Sequence, residues 1–168
     1  MSNFDGLLKT KMDEASYKKM KDLENPKLEE FIGFFTEHCE PEKVYFMGDS
    51  QEDTDFIRQM SLDKGEELKL AKDGQTIHYD GYRDQARDKV NTRFLVRPNR
   101  WEAMSAMNSV KYDEGYQEIM DISKGIMKGK EAVVSCYVEG PAHSPFTRPC
   151  VQFTDSWYVA HSERILYR

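Results

Sequence analysis

One strand-to-helix unit in the first third of the chain constrains the fold most. Residues 43–48, KVYFMG, have the continuous apolar content of a buried strand. The next segment, residues 49–60 (DSQEDTDFIRQM), begins with Asp49 and Ser50, which are both good helix N-caps, and carries acids in its first turn. A buried strand that passes directly into a helix is typical of an α/β protein.

Two helices are predicted ahead of this unit. Apolar residues between Phe4 and Leu23 recur at roughly helical intervals among lysines and acids, which predicts one amphipathic helix. Asn25 and Pro26 end that helix, and Pro26 suits the first turn of a second one. Four apolar residues line one face of the second helix: Leu28, Phe31, Ile32 and Phe35.

The remaining segments complete an α/β pattern. Four of them have the β-branched and aromatic content of strands, namely residues 75–80 (QTIHYD), 92–96 (TRFLV), 132–138 (AVVSCYV) and 150–154 (CVQFT). Two predict helices despite Gly115 and Gly125, namely residues 100–107 (RWEAMSAM) and 112–127 (YDEGYQEIMDISKGIM). We therefore expect a mixed β-sheet flanked by helices, in a single domain that covers residues 1–168.

Composition excludes several classes of partner. The chain has 30 Asp and Glu against 24 Lys and Arg, for a formal charge of -6, whereas a nucleic-acid binder needs a basic face. The sequence has neither a secretory signal nor the roughly 20 apolar residues that span a bilayer, so we expect a cytoplasmic protein with no membrane partner. Cys39, Cys136 and Cys150 are odd in number and lack CxxC spacing, which predicts free thiols.

Residues 140–162, GPAHSPFTRPCVQFTDSWYVAHS, raise the question of reactive chemistry. On residue type alone, Cys136 or Cys150 with His143 or His161 could form a nucleophilic dyad or a zinc site. We reject both. Cys136 lies in an apolar strand, where a cysteine acts as a small buried hydrophobe, and the spacings are long and irregular. This leaves the four residues without an assigned role and favours a rigid bent loop that positions another segment.

Residues 125–131, GIMKGKE, match a phosphate-binding loop motif only in part. Three residues separate the two glycines, and Glu131 stands where that motif requires Ser or Thr for Mg²⁺. The stretch instead predicts a helix C-terminus followed by a strand.

Residues 78–89, HYDGYRDQARDK, place Arg83 and Arg87 among acids on a polar segment between two predicted strands. The plain interpretation is a solvated loop whose charges pair locally. The sharper one is a carboxylate clamp, because a guanidinium offers a planar pair of donors and stays charged at any working pH. Residue chemistry alone leaves both interpretations open.

Three blocks in a fixed order resemble a known family. They are residues 39–60 (CEPEKVYFMGDSQEDTDFIRQM), 85–96 (QARDKVNTRFLV) and 140–165 (GPAHSPFTRPCVQFTDSWYVAHSERI). Together they resemble the amino-terminal part of GTP-dependent phosphoenolpyruvate carboxykinase of the archaeal and bacterial type. The last block, with its Gly-Pro, Ser-Pro and Thr-Asp-Ser elements, is the most specific.

The resemblance implies an activity and one substrate-binding residue. The family is a decarboxylating lyase of gluconeogenesis that converts oxaloacetate and GTP to phosphoenolpyruvate, CO₂ and GDP, with Mn²⁺ and with Mg²⁺ or Mn²⁺ on the nucleotide. Its Ala-Arg pair lies on a mobile loop, and the arginine grips the carboxylate of oxaloacetate or phosphoenolpyruvate. By that motif the substrate-binding residue here is Arg87. The family's counterpart of residues 140–156 is a structural turn and strand.

The resemblance also implies what this sequence does not contain. The family's manganese ligands, phosphate-binding loop and mobile lid lie beyond the point that matches Arg168. We therefore expect a truncated amino-terminal part, with no catalytic, metal or cofactor-binding residue of its own, whose partner is a carboxy-terminal nucleotide-binding domain. The chain alone is expected to be inactive. The alternative is a non-catalytic interaction domain derived from the same fold.

Overall fold

The structure is a computed structural model that describes residues 3–81, 88, 90–104, 106–141 and 143–166. The helices are α1 (Asp5–Lys11), α2 (Glu14–Asp22), α3 (Pro26–Cys39), α4 (Gln51–Asp63), α5 (Trp101–Met104), α6 (Tyr112–Ser123) and α7 (Trp157–Leu166). The strands are β1 (Lys43–Met47), β2 (Leu68–Lys69), β3 (Thr76–Ile77), β4 (Phe94–Val96), β5 (Ser109–Lys111), β6 (Glu131–Glu139) and β7 (Arg148–Thr154).

The chain forms two compact units. Unit 1 comprises Met1–His78 and Gly125–Arg168, and unit 2 comprises Tyr79–Lys124. The single domain over residues 1–168 that the sequence predicts stays a prediction.

A mixed three-stranded sheet is the centre of unit 1. Its strand order is β1-β6-β7, with β1 parallel to β6 and β6 antiparallel to β7. Val44 and Phe46 of β1 pack in an apolar cluster with residues of α1, α2 and α3, whereas Met47 packs in a second cluster with residues of α4 and α7. Helices therefore cover both faces of the sheet, which confirms the predicted α/β class with a mixed sheet flanked by helices.

Two helices replace the single one predicted between Phe4 and Leu23. The break falls at Met12, whose backbone is extended, and Asp13 then caps α2 by accepting a hydrogen bond of 2.7 Å from the Ser16 amide. The helical spacing of apolar residues continues through this break, so periodicity alone does not reveal it. The start of α3 agrees with prediction, because the Asn25 side chain accepts from the Leu28 amide and Pro26 occupies the first turn.

Unit 2 is small and thinly packed. Strands β4 and β5 pair in parallel, and α6 follows β5 directly. Among its described residues only Val96 and Gly115 are buried. A Cβ at Gly115 would lie 2.7 Å from Cγ1 of Val110 and 3.2 Å from Cγ of Leu95, so the glycine permits close approach of α6 to both strands.

Several element boundaries differ from the sequence predictions. The predicted strand over residues 75–80 is confined to β3, the predicted helix over residues 112–127 ends at Ser123, and α7 was not predicted. The segment that forms α7, WYVAHSERIL, begins with aromatic and β-branched residues that favour strands locally. Tertiary contacts of its amino terminus, described below, favour the helix instead.

Candidate functional site

The substrate-binding residue expected from the resemblance, Arg87, lies outside the described residues, and so does Arg83. The structure therefore does not test the carboxylate role of Arg87. It does describe Asp88, the residue that follows Arg87, and the chain that leads from residue 90 into β4.

A hydrogen-bonded turn begins at Asp88. Its carboxylate accepts bonds of 3.0 Å from the amides of Val90 and Asn91 and a further bond from the Asn91 side chain, and its carbonyl accepts from the Thr92 hydroxyl at 2.6 Å. The bonds from Asn91 and Val90 hold the pKa of the Asp88 carboxyl below its ordinary value. The side-chain amide of Asn108 donates to the carbonyls of Val90 and Thr92 at 3.0 and 2.8 Å. The residues that follow Arg87 are thus held in place within unit 2 by hydrogen bonds.

The loop between β6 and β7 is held together by its own hydrogen bonds. Gly140 and His143 have left-handed backbones, with φ of 85° and 59°. The Thr147 hydroxyl donates to the Pro141 carbonyl and accepts from the Ser144 amide at 3.0 Å, and the Thr147 amide donates to the Ser144 carbonyl at 3.0 Å. These contacts agree with the predicted rigid bent loop.

An open apolar groove of about 1410 Å³ lies in unit 1 beside this loop. Cys136, Cys150 and His143 line it together with residues of α3. Cys136 is exposed, so the prediction that it acts as a buried hydrophobe is wrong. It lies towards the end of β6, beyond the buried residues Ala132 and Val134, where the strand borders the open groove. Partial desolvation of its sulfur nevertheless raises the pKa of the thiol, which opposes formation of a nucleophilic thiolate.

His161 lies elsewhere, in a buried cluster with two neighbouring glutamates. Its Nδ1 donates to Oε2 of Glu67 at 2.7 Å, and the Thr76 hydroxyl donates to Oε1 of the same carboxylate at 2.6 Å. Burial disfavours the charged form of Glu67, but hydrogen bonds from hydroxyl groups and from His161 outweigh it and lower the pKa of the carboxyl. His161 therefore ties α7 to the loop after α4, and neither cysteine is its partner.

Glu66 caps the amino terminus of α7. Its Oε2 accepts from the Ser156 hydroxyl at 2.7 Å and from the Tyr158 amide at 2.8 Å, while the Ser156 hydroxyl accepts from the Val159 amide at 3.2 Å. A carboxylate at a helix amino terminus satisfies free amides and favours the helix dipole. The cap comes from a residue 90 or more positions earlier in the chain, so no local pattern could have revealed it.

The ring of His78 stacks on that of Tyr158. The ring centroids are 3.6 Å apart and the planes differ by 11°. Nδ1 of His78 also donates to the backbone carbonyl of Glu66 at 2.6 Å. We name this set of five residues the Glu66–Glu67 clamp: Glu66, Glu67, His78, Tyr158 and His161. It joins the loop after α4, the end of β3 and the start of α7.

A second cluster of polar side chains with hydrogen bonds lies at the carboxyl end of β1. Asp53 is buried, and its carboxylate accepts from the Gly48 amide at 2.7 Å and from Nζ of Lys19 at 2.5 Å. Arg164 of α7 donates to the Gly48 carbonyl at 2.7 Å and to the Thr54 hydroxyl at 2.9 Å. Such an edge is a common ligand-binding place in α/β proteins, but here the protein's own side chains satisfy its polar groups.

The predicted helix end followed by a strand is confirmed in order, although α6 already ends at Ser123 and turns over residues 124–129 lead to β6. Gly125 and Gly129 have left-handed backbones, and the amides of Gly125 and Met127 donate to the carbonyls of His38 and Cys39 at the end of α3. Because these two amides already donate to carbonyls of α3, they do not form a phosphate-binding site. The turn leads directly into β6.

The described part of the chain shows neither a metal-binding cluster nor a membrane-spanning helix. No group of three His, Cys, Asp or Glu residues there is arranged to hold a metal ion. Within the same residues, no helix has both the length and the apolar character needed to cross a bilayer.

Comparison with known proteins assigns the family. The model of the phosphoenolpyruvate carboxykinase N-terminal domain matches residues 30–168. The chain is 48% identical over 161 residues to phosphoenolpyruvate carboxykinase [GTP] of Thermococcus sibiricus, covering 96% of this chain and 26% of that protein. The corresponding protein of Thermococcus kodakarensis is 47% identical over 94% of this chain and 25% of its own length.

A more distant relative, phosphoenolpyruvate carboxykinase [GTP] of Saccharolobus solfataricus, is 40% identical over 90% of this chain and 24% of its own length. The chain thus spans about a quarter of the length of these relatives. Since the family model matches well over half of its residues, the chain belongs to the phosphoenolpyruvate carboxykinase N-terminal domain family.

Proposed function

We propose that this chain is the substrate-binding portion of a GTP-dependent phosphoenolpyruvate carboxykinase. The complete enzyme converts oxaloacetate and GTP to phosphoenolpyruvate, CO₂ and GDP. The family match over residues 30–168 carries this proposal, because relatives that share 40–48% of the sequence are named for that activity.

In this proposal Arg87 binds the substrate carboxylate. A guanidinium donates two parallel hydrogen bonds to a carboxylate and keeps its charge, so it both anchors and orients a small dicarboxylate. The turn at Asp88 supports the role, since its bonds to Asn91 and Thr92 fix the chain immediately after the arginine. Holding the reactant in one orientation contributes to catalysis without any proton transfer by this residue.

The nucleotide and metals belong to the rest of the complete enzyme in this proposal. GTP appears in the relatives' name, and a divalent metal offsets the phosphate charge in phosphoryl transfer generally. We infer that the complete enzyme would use Mn²⁺ together with Mg²⁺ or Mn²⁺ on the nucleotide. The isolated 168-residue chain is then expected to be inactive. A cytoplasmic location fits this role, since oxaloacetate, phosphoenolpyruvate and GTP are water-soluble.

A chimeric enzyme tests the proposal. Residues of the Thermococcus sibiricus carboxykinase that match this chain are replaced by the chain itself, and phosphoenolpyruvate formation from oxaloacetate and GTP is measured. We expect turnover that depends on GTP and on Mn²⁺. A chimera that folds, as judged by a cooperative thermal transition, but forms no phosphoenolpyruvate contradicts the proposal and favours an interaction domain that has lost substrate binding.

A further inference from the structure

The apolar groove of unit 1 is the open continuation of a sheet face that helices cover elsewhere. Val134 of β6 lies opposite Phe153 of β7, and both pack in the apolar cluster that includes residues of α1, α2 and α3. Cys136 lies opposite Val151 on the same face, because alternate residues of a strand share a face. Cys136 is exposed and Val151 is 38% exposed. The apolar face therefore extends beyond the part that these helices bury.

Apolar side chains also form the opposite wall of the groove. Leu28 and Phe31 of α3 line it together with Leu23, which precedes that helix. Leu28 is buried, whereas Phe31 is 37% exposed and Leu23 is 52% exposed. Of the described residues that line the groove, Lys27 is the only Lys or Arg and Asp49 the only Asp or Glu. The groove therefore suits an apolar occupant with few charges.

The size of the groove favours a polypeptide as that occupant. Its volume of about 1410 Å³ exceeds the roughly 300–1,000 Å³ of pockets that bind small molecules. The chain spans about a quarter of the length of its two Thermococcus relatives, so most of a complete enzyme of that length is polypeptide outside this chain. One wall of the groove lies in residues 140–151, within the sequence block that resembles the family most specifically.

We propose that the groove is the docking surface for the rest of a complete carboxykinase, an apolar segment of which packs against Phe31, Cys136 and Val151. This inference rests on the proposed function. Contiguous apolar patches of this kind mark interaction sites, because soluble proteins rarely leave large ones open to water. Covering the groove removes apolar surface from water, which stabilises the association of the two parts.

The reactivity of Cys136 measures whether the groove is covered. A maleimide is added at about pH 8 to the isolated chain and to the chimeric carboxykinase described above, and mass spectrometry of peptides identifies the labelled cysteines. We expect Cys136 to react at least about ten times more slowly in the chimera, because a covered thiol reacts only when the site opens. Cys39, which is buried, should react slowly in both proteins. Equal rates for Cys136 in the folded chimera and in the isolated chain overturn the proposal.

Two phenylalanines of α3 supply matched variants. Phe31 and Phe34 are both 37% exposed and both contact the ring of Phe35, but Phe31 lines the groove and Phe34 does not. In the isolated chain, Phe31→Glu and Phe34→Glu should lower the thermal midpoint by similar amounts. In the chimera, Phe31→Glu should lower the midpoint further than Phe34→Glu and should increase labelling of Cys136, because a buried unpaired carboxylate opposes docking. Equal shifts for the two variants in the chimera, with Cys136 labelling unchanged, contradict the proposal.

A second copy of this chain is the competing occupant, and labelling of the isolated chain at low and high concentration distinguishes it. Cys136 protection that rises with concentration, together with a dimer in sedimentation velocity, would mean that a second copy covers the groove and would overturn the proposal. Failure of the proposed function gives a different result. A folded chimera that protects Cys136 but forms no phosphoenolpyruvate contradicts the function alone, whereas turnover with a fully reactive Cys136 contradicts the docking surface alone.

Discussion

The two units of this protein differ in how their polar groups are held. Unit 1 buries three carboxylates, Glu29, Asp53 and Glu67, and each accepts a hydrogen bond from a side chain of another helix or strand. Unit 2 has an exposed ion pair between Arg93 and Glu118 and little buried apolar surface in its described part. Local stability follows buried contacts, so unit 2 is expected to open more easily than unit 1.

Under the proposed function, the substrate-binding residue belongs to the unit with fewer buried residues. Binding residues are often placed on adaptable segments that a rigid scaffold positions. Here the segment that carries Arg87 belongs to the thinly packed unit, while its chain connection to unit 1 ends in the Glu66–Glu67 clamp. Substitutions that target each unit separately test this difference in stability.

The largest expected effect comes from the core of unit 1. Trp157 is 2% exposed and packs against Tyr45 and Phe56. Trp157→Ala should lower the free energy of unfolding by about 3–5 kcal/mol, because it removes a large buried ring and leaves a cavity. Urea unfolding followed by far-ultraviolet circular dichroism measures this. Trp101→Ala in unit 2 is the matched control, and an equal loss there would contradict the comparison.

The next effect concerns the buried carboxylate of Glu67. Its pKa is lowered from the ordinary 4.5, so its contribution to stability is present above that pH and is lost as the pH falls through the folded-state pKa. Glu67→Gln should lower the free energy of unfolding near neutral pH by about 1.5–3 kcal/mol. It should also flatten the decline of stability between about pH 5 and pH 3.

Chemical denaturation across that pH range measures both effects for Glu67→Gln. Glu118→Gln, which changes an exposed carboxylate of unit 2, is the control and should leave the pH profile close to that of the parent. An unchanged profile for Glu67→Gln would show that the carboxylate does not stabilise the folded chain.

A smaller and local effect is expected at Gly115. Alanine at this position places a methyl group 2.7 Å from Val110, so α6 must shift away from β5. We expect a loss of about 1–2 kcal/mol confined to unit 2. Amide hydrogen exchange should therefore accelerate in β4, β5 and α6 and stay unchanged in β1 and β6. Faster exchange in β1 would mean that the two units unfold together.

The smallest effect is expected for the exposed ion pair of unit 2. Arg93→Ala removes a contact of 2.7 Å whose partners are 31% and 46% exposed. Exposed pairs contribute roughly 0–1 kcal/mol, so the thermal midpoint should change little, and raised salt should reduce the difference further. A loss as large as that for Glu67→Gln would show that unit 2 depends on this pair.

Local signals in the sequence predicted much of the fold. The start of α3 is set by Asn25 and Pro26, and the start of α4 by Ser50, whose side chain accepts from the Asp53 amide. Each cap uses residues within one turn of the helix, so a single stretch contains the whole signal. The mixed sheet followed from the apolar content of β1, β6 and β7.

Features that depend on distant contacts were not predictable in this way. Glu66 caps α7 from the other end of the chain, and His161 pairs with Glu67 instead of with a cysteine. Cys136 is exposed beside the open groove although its strand is apolar in sequence. The assignment of Arg87 as the substrate-binding residue depends on a resemblance between motifs. The structure adds only that the residues before and after its segment are held by hydrogen bonds.

Kinetics of Arg87→Lys and Arg83→Lys in a complete carboxykinase test whether Arg87 binds the substrate carboxylate. Lysine keeps the charge but loses the planar pair of donors, so Arg87→Lys should weaken binding of oxaloacetate and phosphoenolpyruvate by about ten- to hundredfold, equivalent to about 1.5–3 kcal/mol. GTP affinity and thermal stability should stay nearly unchanged, and Arg83→Lys should behave like the parent. Parental kinetics for Arg87→Lys with both substrates, or damage from Arg83→Lys instead, would contradict the assignment of Arg87 as the carboxylate-binding residue.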